Sequence, residues 1–119
     1  MSVEKRRIVV LVHDVEIRLY DMRFGTCAGR TFQEGDHDEL FVMEFFGLVH
    51  DETLVHECWH CIFRILHRCD INQHQFRELM DEIYAYTFSD FFSTVKDRIQ
   101  RMKLYKRIWE SKDDTSGED

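Results

Sequence analysis

Apolar and polar residues alternate over the first part of the chain, within residues 7–20. The apolar residues on one side are Val9, Leu11, Val15, Ile17 and Leu19, and the polar residues on the other are Asp14, Glu16 and Arg18. A period of two residues is typical of a β-strand. Two interpretations stay open, one long strand or a short hairpin bent at His13 and Asp14, because neither residue is a strong turn former without glycine.

Two further strands are indicated before residue 47. Gly25, Gly29 and Gly35 lie among polar residues and mark turns around a short strand at residues 30–33. Residues 40–46 are again rich in aromatic and branched side chains, which favours another strand. We therefore expect a small N-terminal β-sheet of about three strands.

The period of the apolar residues changes after Gly47. The first helical stripe consists of Leu54, Cys58, Ile62, Ile65 and Cys69. This spacing predicts a helix over residues 52–68, which Asp51 or Thr53 would cap. Residues 70–72 interrupt the stripe, so that a second helix can turn back antiparallel to the first.

The stripe resumes and predicts a second helix over residues 73–90 and a third from about residue 95 to Glu110. Strands that are followed by helices, rather than alternating with them, favour an α+β fold. We expect a single domain over residues 1–111. Residues 112–119 are polar and acidic, which predicts a disordered tail.

The formal charge of −7 argues against a protein that coats nucleic acid by charge alone. The charge is uneven, because residues 96–110 carry six basic and two acidic side chains, a local charge of +4, and the other 104 residues hold −11. A basic helix of this kind can contact phosphates or an acidic partner, although it more often forms a solvated face.

Compartment and redox state follow from short sequence features. No apolar run approaches the length of a membrane span, and residues 8–12 are too short for the core of a secretory signal. We expect a cytoplasmic protein with no membrane partner. Its four cysteines, Cys27, Cys58, Cys61 and Cys69, are then expected to be reduced thiols.

The predicted first helix contains the sequence His56-Glu57-Cys58-Trp59-His60. Residues four apart on a helix project from the same side, so His56 and His60 can bind one ion. Neutral imidazoles suit Zn²⁺, and an adjacent carboxylate such as Glu57 can accept and return a proton during hydrolysis. About 0.04 chance matches to this pattern are expected in a chain of this composition.

A catalytic zinc needs a third protein ligand, and we choose Glu82 on the second helix. An antiparallel helix pair brings a residue about one helix length later alongside the histidines. Glu78, one turn before Glu82, lies on nearly the same helical face and is the alternative ligand.

These residues resemble a known family. The motif at residues 56–60, followed by Asp81-Glu82-Ile83-Tyr84-Ala85-Tyr86, is similar to the gluzincin metallopeptidases, which include thermolysin, and more closely to small, single-domain, phage-type minigluzincins. The resemblance covers roughly residues 39–92. It implies zinc ligation by His56, His60 and Glu82 with Glu57 as general base.

The resemblance also implies that the strand at residues 40–46 is a sheet edge to which an extended peptide substrate adds. Tyr86, one turn beyond Glu82, would donate a hydrogen bond to an oxyanion. The family often has an acidic residue at this position, where it orients a histidine, and Asp90 or Asp51 are the substitutes in this chain.

Cys58, Cys61 and Cys69 suggest a different metal site, a structural zinc with thiolate ligands. Core packing is preferred, because Cys58 and Cys69 lie on the apolar stripe and a continuous helix cannot wrap the three residues around one ion. The sequence therefore predicts a zinc-dependent metalloendopeptidase that acts on a peptide or protein, in the host cytoplasm if it is phage-encoded. The alternatives are a small phage-type interaction protein that binds a host factor, with zinc structural or vestigial, and, less favoured, a nucleic-acid binder through residues 96–107.

Overall fold

The computed structural model describes residues 1–23, 25–69 and 77–116, with the side chains of all of these except 77–81 and 112–116. Four strands come first, β1 (Val3–Val10), β2 (His13–Tyr20), β3 (Gly29–Glu34) and β4 (Leu40–Phe46). Three helices follow, α1 (Asp51–Arg68), α2 (Arg77–Gln100) and α3 (Lys103–Ser116). The fold is α+β as predicted, with a mixed four-stranded sheet in place of about three strands.

The additional strand comes from residues 7–20 and the residues before them, which form a hairpin. β1 and β2 pair antiparallel, and the turn lies at Leu11 and Val12 rather than at His13 and Asp14. Both turn residues have a positive φ, 48° for Leu11 and 63° for Val12. This is the handedness that a two-residue hairpin turn needs to match the twist of its strands.

The hairpin turn changes which residues of β1 face the core. Ile8 lies opposite Val15 and both are buried, whereas Val9 and Leu11 are exposed. The prediction that Val9 and Leu11 share the face of Val15 was therefore wrong. The turn residues break the alternation, so β1 and β2 follow the period of two separately.

The strand order in the sheet is β1-β2-β4-β3, in which β2 and β4 are parallel and β4 and β3 are antiparallel. β4 therefore lies inside the sheet, and the prediction that residues 40–46 form an edge was wrong. Consecutive residues of β4 such as Phe41, Val42 and Met43 are all fully buried. A strand that is buried on both faces belongs in the interior of a sheet, so the edges of the described sheet are β1 and β3.

The predicted helix over residues 52–68 is confirmed as α1. The predicted boundary between residues 90 and 95 was wrong, because α2 continues to Gln100. Phe91, Val95 and Ile99 extend its buried stripe at a spacing of four, and no residue between them breaks a helix. Residues 70–76, which include the predicted start of the second helix, lie outside the described residues.

The helices cover one face of the sheet, and α1 and α2 run in opposite directions. Asp51 at the start of α1 pairs with Lys96 near the end of α2, and Trp59 contacts Phe88. The core between sheet and helices includes Ile17, Phe41, Phe45, Ile62, Ile65, Phe91, Val95 and Met102. None of the helices described has both the length and the apolar character needed to cross a bilayer.

Ion pairs on the other face of the sheet hold β3 in place. Glu44 of β4 is 2% exposed, pairs with Arg30 of β3, and accepts a hydrogen bond of 2.5 Å from the Tyr20 hydroxyl. Arg18 of β2 donates two hydrogen bonds to Glu34 at the other end of β3. The edge strand next to α1 is thus attached to its neighbours by charged side chains as well as by backbone pairing.

Candidate functional site

The apolar stripe of α1 determines where its motif points. The buried apolar residues of the helix are Leu54, Cys58, Cys61, Ile62, Ile65 and Leu66. His56 and His60 lie on the opposite side and are exposed. Burial of the stripe against the sheet therefore leaves both imidazoles at the surface.

The two imidazoles converge at their tips. The Nε2 atoms of His56 and His60 are 3.1 Å apart, with ring centroids at 4.5 Å and ring planes at 86°. Two nitrogen ligands on a tetrahedral zinc are about 3.3 Å apart, given zinc–nitrogen bonds of about 2.0–2.1 Å. The pair thus has the donor type and the separation of two adjacent zinc ligands.

Glu57 points sideways from α1 toward the edge strand β3 and is 5% exposed. The Thr31 hydroxyl donates a hydrogen bond of 2.8 Å to Glu57 Oε1 and lies 3.3 Å from the Glu57 carbonyl oxygen. Gly29, two residues earlier on β3, comes so close that an added Cβ would lie 3.2 Å from Glu57 Cγ. The carboxylate is therefore held between the helix and the strand.

Three carboxylates of the described residues are buried, Glu16, Glu44 and Glu57. Arg18 pairs with Glu16 at 2.6 Å, and Arg30 pairs with Glu44. In the part of the chain that the structure describes, Glu57 has no ion pair. A buried carboxylate normally has a cationic partner, because burial of an unpaired charge is costly.

A cleft of about 450 Å³ lies between the start of β3 and the start of α1. Its lining residues are Thr26, Cys27, Ala28, Gly29, Glu52, Thr53, His56 and Glu57. The cleft brings one imidazole of the pair and the buried carboxylate to the same solvent-filled space. We take this cleft, with the histidine pair at its side, as the candidate active site.

The predicted third ligand is not beside the histidines. Glu82 is exposed on α2, and the side chain of the alternative, Glu78, lies outside the described residues. Among the side chains that are described, no three His, Cys, Asp or Glu residues are grouped to hold one metal ion. His56 and His60 thus fit two positions of a zinc site, and the third stays a prediction.

Tyr86 lies in a different cleft from the motif. Its side chain is 74% exposed and lines a space of about 400 Å³ with Val9, Val10 and Leu11 of the hairpin. No residue of the segment 56–60 lines this space. The structure gives no contact through which Tyr86 would reach an oxyanion near Glu57.

The two residues considered as partners for a ligand histidine are engaged elsewhere. Asp51 pairs with Lys96 at 3.1 Å. Asp90 lines the Tyr86 cleft, and its backbone carbonyl accepts a hydrogen bond from Thr94. Neither has a described contact with His56 or His60.

Cys58 packs in the core, as the apolar stripe predicted, and Cys61, which is not on the stripe, is buried as well, whereas Cys69 is half-buried. Burial raises the pKa of the Cys58 thiol to about 12, and the nearby Glu57 charge raises it further. Burial also raises the pKa of the Cys61 thiol, with Cys58 as a smaller cause. Because a thiol must ionise to bind zinc, these side chains are poor metal ligands in this environment.

The basic segment at residues 96–107 spans the end of α2 and the start of α3 rather than one helix. Lys96 pairs with Asp51, and Arg101 pairs with Asp97. The segment is thus partly neutralised by its neighbours, and its role as a nucleic-acid interface stays a prediction.

Sequence reasoning did not single out Thr31, and it used Gly29 only as the marker of a turn. Their role depends on the contact between β3 and α1, for which the local pattern of β3 carries no signal. No family model, curated protein or solved structure matches the chain. The candidate function therefore depends on the site geometry and on the resemblance of the motif.

Proposed function

We propose that the protein is a zinc-dependent peptidase whose active site is the cleft between β3 and α1. The observation that carries the proposal is the convergence of His56 and His60 next to Glu57, a buried carboxylate without a described cationic partner. A surface pair of histidines alone would be ordinary. A bound cation beside them would complement the buried charge.

The chemistry divides between the ion and the residues of the chain. When bound, zinc supplies Lewis acidity that makes hydroxide available near neutral pH. His56 and His60 would hold the ion through their Nε2 atoms. Glu57 accepts the proton of the attacking water at Oε2, since Oε1 is occupied by Thr31, and returns it to the leaving amine.

Glu82 is the proposed third ligand, with Glu78 as the alternative. Trp59, adjacent to His60, contacts Tyr84 on α2 with ring centroids 6.3 Å apart. Tyr84 is two residues beyond Glu82, so α2 passes α1 at the level of the motif. Residues two apart on a helix project from nearly opposite sides, so zinc ligation by Glu82 requires a rotation of α2 about its axis.

The proposed substrate is an extended peptide that adds to the edge strand β3. In the described sheet no strand pairs with the outer edge of β3, so its backbone groups can bind a peptide strand by β-augmentation. The cleft residues 26–29 continue this edge toward Glu57. The edge next to the motif is β3, not the strand at residues 40–46.

Zinc content tests the ligands. Protein purified without chelators is expected to contain about one zinc per chain, and His56→Ala and His60→Ala are each expected to weaken zinc binding by well over 100-fold. His67→Ala, an exposed histidine two turns further along α1, is the matched control and should bind zinc normally. A folded wild-type protein that takes up no zinc would refute the proposal. A dimer with half a zinc per chain would also refute it, because the ion would then be shared between two chains.

Paired variants of α2 identify the third ligand. Glu82→Gln should weaken zinc binding far more than Glu78→Gln, measured by titration with a competing chelator. The reverse order would make Glu78 the ligand. If both variants change zinc affinity only slightly, neither glutamate is a ligand. His56 and His60 would then be the only protein ligands, and a catalytic zinc site needs three.

Hydrolysis tests the base. Glu57→Gln is expected to retain zinc and to lower kcat by about 10²–10⁴-fold, because it removes the proton acceptor and not a ligand. The substrate probe is a quenched-fluorescence peptide library, and Glu110→Gln on the exposed face of α3 is the control. Unchanged hydrolysis by Glu57→Gln would exclude the proposed role of Glu57.

An interaction protein is the second candidate, favoured by an exposed apolar row on α1. Val55, Trp59 and Phe63 are each 44% exposed and lie at a spacing of four, next to the histidines. A row of this kind is typical of a surface that binds another protein. Partner capture that is equal for wild type and Glu57→Gln, reduced by Phe63→Ser and not followed by cleavage of the partner would favour this candidate.

A further inference from the structure

The hydroxyl of Thr31 on β3 contacts Glu57 on α1, 26 residues away in the sequence. We propose that Thr31 is a positioning residue that holds the Glu57 carboxylate in one orientation for proton transfer. This inference rests on the proposed function, because it assigns a role to Thr31 in the same site. It goes beyond the motif, which contains no residue of β3.

The contact orients a specific oxygen. Thr31 Oγ1 donates to Glu57 Oε1 at 2.8 Å, and Glu57 Oε2 has no hydrogen bond to the described residues. A free glutamate side chain samples several rotamers, and restricting it costs free energy that must be supplied by a contact. With Oε1 bound, Oε2 is the oxygen that stays available to accept a proton.

The strand that carries Thr31, β3, packs closely against α1 and against the side chain of Glu57. An added Cβ on Gly29 would meet the Glu44 carbonyl oxygen and Thr53 Cγ2, both at 3.1 Å, as well as Glu57 Cγ. A side chain at this position would force these neighbouring atoms to shift. The Arg30–Glu44 pair on the opposite face fixes the same part of β3 to β4.

The geometry distinguishes Glu57 from the other buried carboxylates. Glu44 and Glu16 are paired with arginines, which is a structural arrangement. Glu57 instead has one neutral donor and lines a cleft next to His56. A neutral hydroxyl orients the carboxylate without cancelling its charge, which a base needs for proton transfer.

A double-mutant cycle tests the contact without any activity measurement. Thr31→Val keeps the shape of the side chain and removes the hydroxyl. In the wild-type background it should raise the equilibrium constant for unfolding by about 10- to 100-fold, because a hydrogen bond to a charged group is lost. In a Glu57→Leu background the same change should alter the constant by less than about 3-fold.

The matched controls are Thr31→Ser and Thr94→Val. Thr31→Ser keeps the hydroxyl and should restore most of the stability. The Thr94 hydroxyl donates to the Asp90 carbonyl within α2, at 2.9 Å, so the effect of Thr94→Val should be the same in both backgrounds. If Thr31→Val also has equal effects in both backgrounds, its hydroxyl does not bind Glu57 and the inference is overturned.

Kinetics of the zinc-loaded protein test the positioning role. Thr31→Val is expected to lower kcat per bound zinc by about 10- to 100-fold while KM and zinc affinity stay within about 3-fold, and Thr31→Ser should recover kcat. A purely structural role would not separate kcat from KM in this way. Unchanged kcat in Thr31→Val, despite coupling to Glu57 in the cycle, would overturn the positioning role.

The two proposals can fail separately. A wild-type protein that binds no zinc or hydrolyses no peptide overturns the proposed function and the catalytic meaning of the contact, even if the cycle confirms the hydrogen bond. A hydrolytically active protein in which Thr31→Val behaves like wild type overturns this inference alone.

Discussion

Two adjacent residues of α1, Glu57 and Cys58, are both buried but have different surroundings. Glu57 keeps a hydrogen-bond donor and an opening to the cleft, whereas the adjacent Cys58 is fully buried among apolar residues. The pKa of the Cys58 thiol is raised to about 12, mainly because the thiolate would be desolvated. Glu57 is thus open to the solvent of the cleft, and Cys58 is part of the core.

The buried thiols predict how the native protein reacts with alkylating reagents. At pH 8, Cys58 and Cys61 should resist iodoacetamide in the folded protein and react quickly in urea, as followed by peptide mass spectrometry. The half-buried Cys27 serves as the internal comparison. Modification of Cys58 at the same rate with and without urea would contradict its burial.

The same thiols predict a loss of stability at alkaline pH. Their pKa is raised in the folded state, so only the unfolded state releases the proton as the pH rises above about 8.5. The stabilisation that depends on the protonated thiols should therefore be fully present below that pH and should be lost as the pH rises from about 8.5 toward 12. Urea titrations should show a flatter pH dependence for Cys58→Ala than for wild type, and an unchanged slope would contradict the prediction.

The hairpin of β1 and β2 has turn residues that are unfavourable for the backbone conformation of the turn. Leu11 and Val12 both have positive φ values, and Val12 is 91% exposed. A positive φ costs about 1–2 kcal/mol for a residue with a Cβ, and branching at Cβ makes it worse. The pairing of β1 with β2 must therefore supply the free energy that the turn loses.

Replacement of the turn by Leu11→Asn with Val12→Gly should stabilise the protein by about 1–2 kcal/mol, since these residues accept a positive φ. The measurement is the free energy of unfolding in urea. Val9→Gly is the control, because it introduces glycine within strand backbone of the same hairpin and should destabilise by about 0.5–1 kcal/mol. A turn variant no more stable than wild type would show that φ at Leu11 and Val12 is not strained.

At the scale of the whole molecule, a hydrogen bond links the first described strand, β1, to the last described helix, α3. Glu4 on β1 accepts a hydrogen bond of 2.9 Å from the backbone amide of Leu104, 100 residues later. α3 begins at Lys103, so this amide is among those at a helix start that have no partner within the helix. A side chain of β1 thus caps α3 and connects the first described strand to the last described helix.

Loss of this cap should destabilise the entire fold. Glu4→Ala is expected to cost about 0.5–2 kcal/mol in the free energy of unfolding, and Glu4→Gln should cost less because an acceptor oxygen remains. Glu110→Ala, on the exposed face of the same helix, should stay within about 0.5 kcal/mol. Equal effects of Glu4→Ala and Glu110→Ala would mean that the cap does not stabilise α3.

The amino-acid sequence by itself determined the α+β class, the helix over residues 52–68 and the histidine pair on its exposed side. These features depend on side chains within about four positions of one another, so a local period reports them. The sequence did not determine where the second helix ends, because the apolar stripe continues through Phe91 and Val95 without a break.

Only the tertiary structure decided that β4 lies inside the sheet, that β3 is the edge beside the motif and that Thr31 binds Glu57. These contacts join residues tens of positions apart, and strand order depends on which faces are buried after the helices pack. The third zinc ligand belongs to the same class of question, since the place of Glu82 relative to His60 depends on how α2 packs on α1.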